Sequence, residues 1–146
     1  MHRVISHLQG RLIHAQRHEE RDDFENCLFS YVRALTVLAA TPEMACELQG
    51  QYNVAFETRL EGLQGEDLFR LTYCPLNVAQ RTSISEVVSA LGDVPDDVTK
   101  FTDVRSESLL RMQHPYWAGV RAKAIRALRL LEPAIERNAQ YFGRVR

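Results

Sequence analysis

The chain has 146 residues, the length of a single domain, with 45% apolar and 25% charged residues and a formal net charge of −1. That composition excludes collagen-like and low-complexity chains and argues against wholesale disorder, and no run reaches the roughly 18 consecutive apolar residues of a membrane span. The start, Met1-His2-Arg3-Val4-Ile5-Ser6-His7, is too polar for a secretory signal, so one soluble cytoplasmic domain over 1–146 is expected.

The apolar period is helical almost throughout. Val4, Ile5, Leu8, Leu12 and Ala15 form a first stripe, which the polar run His18 to Asp23 ends. Phe24, Leu28, Tyr31, Leu35 and Leu38, spaced 4, 3, 4, 3, predict a buried bundle helix with Asp22 or Asp23 as its cap. Thr41-Pro42-Glu43 restarts the chain with a cap, a first-position proline and a first-turn acid. Met44, Leu48, Tyr52, Phe56 and Leu60 carry a third helix to Gly62, with Gly50 inside it at a cost of about 1 kcal/mol.

Residues 63–82 read either as a short helix broken before Pro75 or as a buried extended stretch. Ser83-Ile84-Ser85-Glu86 has the capping-box pattern of a fourth helix that Gly92 stops. Asp93 to Asp97 reads as a loop. Val98, Phe101, Val104, Leu109, Leu110 and Met112 suit a fifth helix, and Pro115 disfavours helix at His114. A last helix runs from Pro115 or Tyr116 to Phe142, with Gly143 in the cap position and a kink near Glu132 imposed by Pro133. The expected fold is all-α: a single-domain bundle of five or six helices with a long, Pro-kinked, amphipathic C-terminal helix.

Charge is unevenly laid out. Residues 1–110 hold 10 Lys and Arg against 17 Asp and Glu, whereas residues 111–146 hold 8 against 2. Projected at about 100° per residue, the last helix carries Val120, Ala124, Leu128, Leu131, Ile135 and Phe142 on one side and Lys123, Arg126, Arg129 and Arg137 on the other. With Arg121, and with Arg144 and Arg146 beyond, these cations suit a phosphate backbone, and Trp117 at the helix start suits stacking, a protein anchor or equally a place in the core. A solvated outer face explains the same charges. The expected protein is therefore a non-enzymatic small subunit, adaptor or regulator. Its partner would be an acidic macromolecule, either RNA or DNA in a ribonucleoprotein or an acidic protein surface. Self-association, the acidic body of one copy meeting the basic helix of another, is a further reading.

Cys27, Cys46 and Cys74 form no C-x-x-C pair and read as free, reduced core thiols. No glycine-rich phosphate loop, G-x-S-x-G or dinucleotide fingerprint occurs, so no cofactor is expected. His14 and His18 stand one helical turn apart and offer a metal-binding alternative, set against a plain polar border beside the core. Arg11-(x6)-His18 resembles the Arg-x(4–6)-His motif of HEPN-class metal-independent ribonucleases, which are helical bundles. The resemblance covers these two residues and a fold class. It implies that Arg11 would steady a scissile phosphate while His18 acts in acid–base transfer. Leu12 stands where that motif usually has a polar residue, and the pair lies on the first helix rather than late in the domain.

Overall fold

Residues 2–39 build a single element. In the computed structural model, which describes the backbone of residues 2–145 and the side chains of residues 9–144, α1 (His2–Ala39) is one helix of 38 residues. The two helices expected there are joined because the polar run His18 to Asp23 breaks the apolar stripe without containing a glycine or proline. Asp22 is therefore no cap. It accepts hydrogen bonds from the Asn26 side chain at its carboxylate (3.1 Å) and at its backbone carbonyl (2.9 Å), one turn on. Phe24, Leu28, Tyr31, Leu35 and Leu38 are all buried, as their spacing predicts. In the stripe before them Leu12 is 71% exposed and Ala15 is exposed, while the side chains of Val4, Ile5 and Leu8 lie outside the described residues.

The expected third helix is a hairpin of two. α2 (Pro42–Gln49) starts as read, with the Thr41 hydroxyl accepting from the Met44 N–H at 3.2 Å. It ends at Gly50, whose φ of 94° is open to glycine without strain. Gln51 (φ 71°) and Asn53 (φ 53°) are also left-handed, and α3 (Val54–Gly62) begins afresh. Met44, Leu48, Tyr52, Phe56 and Leu60 stand 41–56% exposed, and Ala45, Cys46, Val54, Ala55 and Thr58 are buried in their place. A spacing of four overshoots the helical repeat by about 40° per step, so five such residues fan over about 160° and cannot all face one core.

Residues 63–82 combine both readings. Leu63–Arg70 is a 3-10 helix, 71–77 is irregular with Leu76 buried, and α4 (Val78–Gly92) follows. The capping box belongs to Asn77 and Gln80, each side chain meeting the other's backbone N–H at 2.8 and 2.9 Å. Ser83 is buried inside α4 and donates to the Gln80 carbonyl, so it caps nothing. The expected fifth helix is divided into α5 (Asp96–Thr99) and α6 (Arg105–Met112). Between them Asn53 Oδ1 accepts from the Thr102 N–H at 3.1 Å, and the Thr102 hydroxyl donates to Glu107 at 2.7 Å, which turns the chain.

α7 (Tyr116–Val145) is helical through both Pro133 and Gly143, so Gly143 does not end it. The described residues are thus all-helical, with seven α-helices and one 3-10 helix and no strand; two expected helices merge into α1, while one splits at Gly50 and another at Lys100. α1 packs most extensively on α7, and α4 packs on α7 as well. Leu28, Leu35, Ile84, Leu91 and Leu131 lie fully buried in their shared core. No described helix is long and apolar enough to cross a membrane.

Candidate partner-binding faces

The outer face of α7 keeps its cations in water. Lys123, Arg126, Arg129, Arg137 and Arg144 are exposed. Arg126 to Arg144 spans about 27 Å of helix at 1.5 Å per residue. Arg126, 69% exposed in its side chain, approaches Glu86 on α4 at 4.0 Å, an exposed pair that contributes little. Glu132 and Glu136 are exposed on the same helix and interrupt the positive face.

Two residues grouped with that face by sequence belong to the interior. Trp117 is 2% exposed and its indole N–H donates to the Arg111 carbonyl at 3.0 Å, so it is a core residue and offers no stacking surface. Arg121 is half-buried. Its Nε donates to the Ala40 carbonyl at 2.9 Å, just past the end of α1, where backbone carbonyls lack helical partners. Sequence groups both with the cations because it offers position along α7 and not contact with α1 and α6.

Arg11, His14 and His18 are exposed on the N-terminal half of α1, as is every described residue from Gln9 to Glu19. Among the described residues no three His, Cys, Asp or Glu side chains cluster to hold a metal ion. The cysteines are unpaired, but only Cys46 is buried; Cys74 is half-buried and Cys27 is exposed, which corrects the core assignment of Cys27. Desolvation, then Asp23 and Asp67, push the Cys27 thiol up; desolvation, then Glu43 and Glu47, do the same to Cys46. Both thiols are thereby made poorer nucleophiles.

A groove that no sequence pattern announces runs beside α1. Its floor is the outward face of α1, with Asn26, Phe29, Ser30, Arg33 and Thr36. One wall is the C-terminal half of α7 (Ile135, Asn138, Ala139, Phe142), and the other is α2, α3 and the 3-10 helix (Leu48, Gln49, Glu61, Gln64, Asp67). The groove has a volume of about 1190 Å³. Phe29 stands half exposed in it, its ring edge-on to Phe142 at 5.6 Å. The one sequence signal is Phe29 itself, an aromatic off the buried stripe of α1. No protein-family model matches the chain, and no curated protein or solved structure does.

Proposed function

We propose that the chain is a non-enzymatic helical binding protein, a small subunit, adaptor or regulator, that docks the outer face of α7 on an acidic partner. The observation that carries this reading is the row of exposed cations from Lys123 to Arg144, of which Arg126 alone approaches an acid of another described element. A row of this kind suits a nucleic-acid backbone within a ribonucleoprotein, since Arg forks match phosphate and need no base contact. The three unpaired thiols support a reducing, cytoplasmic setting.

Labelled single-stranded and duplex RNA and DNA, at two salt concentrations and with or without chelator, test the reading. Salt-sensitive binding without cleavage is the expected result. In the Arg126→Glu, Arg129→Glu variant, affinity at low salt should drop by about tenfold or more, and the slope of log Kd against log salt should fall by about 2. Absence of binding at low salt would sink the nucleic-acid form and turn the search to an acidic protein surface. Cleavage that survives chelator and disappears in His18→Ala would replace the proposal with the Arg11 and His18 ribonuclease.

A further inference from the structure

The exposed stretch of α1 sorts its charges by side. Every described residue from Gln9 to Glu19 is exposed, and none of the first 18 residues is acidic. At about 100° per residue, Arg11, His14, Arg17, His18 and Arg21 fall within about 120° of arc. Gly10 is the one other residue of 9–21 inside that arc. Leu12, Ile13, Ala15 and Gln16 lie outside it, and so do Glu19 and Glu20. Arg11, His14, Arg17 and His18 make no ion pair among the described residues. Arg17 and Arg21 stand at i and i+4, a spacing at which like charges repel on a lone helix. The sorting therefore does nothing for α1 by itself.

The arc lies on the side of α1 against which α7 packs. Arg21, inside it, sets its guanidinium over the Tyr141 ring at 4.9 Å. Asp22, about 20° beyond its other edge, accepts from the Tyr141 hydroxyl at 2.8 Å, so this acid is already engaged. α7 runs antiparallel to α1, since Asn138 meets Glu25 and Tyr141 meets Asp22. The exposed Arg144 stands one turn past Tyr141, so the cation row of α7 ends where the arc on α1 goes on. Arg126 to Arg144 covers about 27 Å of helix, and His18 to Arg11 adds about 10 Å in the same direction.

We infer that this arc is a second phosphate contact: a nucleic acid lying along the outer face of α7 continues past its end and is held by Arg11 and Arg17, with His14 and His18. The inference rests on the nucleic-acid form of the reading above and extends it from one helix to two. The arc from Gly10 to Arg21 contains no apolar side chain, so it offers a protein partner nothing to bury at the centre of an interface. A phosphate chain needs no such centre. Arginine forks match its oxygens, and imidazole N–H groups add donors between them.

Titration of a labelled duplex DNA of about 20 base pairs with the full chain, over a salt series centred near about 0.1 M, tests the contact. Arg11→Gln with Arg17→Gln should weaken binding by about tenfold and lower the slope of log Kd against log salt by about 2. Leu12→Glu with Gln16→Glu changes the net charge by the same amount on the opposite side of α1, and should weaken binding by less than about threefold. All four positions are exposed, so the thermal midpoints of both variants should match that of the unmodified chain. A salt-sensitive complex that Arg11→Gln with Arg17→Gln leaves intact, or that the two variants weaken alike, overturns the inference and leaves the α7 face standing. Loss in that variant but not in Arg126→Glu, Arg129→Glu supports the arc and overturns the α7 face. A chain that binds no duplex at any salt overturns both.

Discussion

Gly65→Ala is expected to destabilise the fold by about 3 kcal/mol, the upper end of what overpacking a tight core costs. Gly65 is buried in the 3-10 helix, where a Cβ would stand 2.6 Å from Tyr31 Cζ, 2.7 Å from its hydroxyl and 2.8 Å from Ile84 Cγ2. All three contacts are shorter than real Cβ atoms make, and they come from two sides. Tyr31 and Ile84 are themselves buried, on α1 and α4, so neither has free space into which to retreat. Domains of this size have about 5–15 kcal/mol in total, so the loss would be visible in any denaturant titration. Gly119→Ala is the control, because a Cβ there meets nothing, and it should be harmless or gain up to about 1 kcal/mol from helix propensity. A Gly65→Ala chain as stable as the unmodified one would mean that the 3-10 helix does not seat against Tyr31 as described.

The same contact makes Tyr31 a source of alkaline instability. Its hydroxyl is buried with no hydrogen-bond partner among the described residues. Burial first, and Glu66 second, push its pKa well above the ordinary tyrosine value. The folded chain thus keeps this proton at a pH where the unfolded chain has released it. Stability from this group is complete below the unfolded value near 10 and declines as pH rises past it. Tyr141, raised by desolvation and by its hydrogen bond to Asp22, acts in the same direction. Tyr31→Phe removes the stranded hydroxyl, so it should cost little or stabilise at neutral pH. It should also flatten the decline above about pH 10, measured as the denaturant midpoint against pH.

Which parts of this fold were legible in the sequence depended on whether a residue's period or its partner decided its position. Phe24, Leu28, Tyr31, Leu35 and Leu38 have a true bundle period, and the structure buries all of them. Thr41 and Pro42 start α2 by local chemistry alone, and local chemistry is what a sequence carries. The Met44 to Leu60 series misleads because an interval of four resembles a helical stripe, while Gly50, Gln51 and Asn53 reverse the chain inside it. Asn53 holds its left-handed conformation where Oδ1 can bind the Thr102 backbone, a partner 49 residues away that no local pattern announces. The same limit applies to the candidate site. The cations of α7 are legible as a face, but Arg121 and Trp117 left that face because Ala40 and Arg111 supply carbonyls to them. The groove lies between elements far apart in the chain, so no single stretch of sequence could announce it.

Asn138→Ala is expected to cost about 3 kcal/mol, because it leaves a buried carboxylate without its main donor. Asn138 lies on α7 and Glu25 on α1, both buried, with Glu25 only 4% exposed. The Asn138 side-chain amide donates to the Glu25 carbonyl at 2.9 Å and to its carboxylate at 3.3 Å, tying the two longest helices together next to the exposed stretch of α1. The remaining support for Glu25 is Arg21, whose Nε lies 3.9 Å from the carboxylate, beyond hydrogen-bond length. A charge that has lost its donor and cannot reach water costs more than the hydrogen bond contributed. Neutralising that charge should therefore recover part of the loss. Glu25→Gln in the Asn138→Ala background should be more stable than Asn138→Ala alone, whereas Glu25→Gln by itself gives up only a partly exposed ion pair, worth less than about 1 kcal/mol. A double-mutant cycle on denaturant unfolding separates these terms, and additive losses would show that Asn138 and Glu25 do not act on one another.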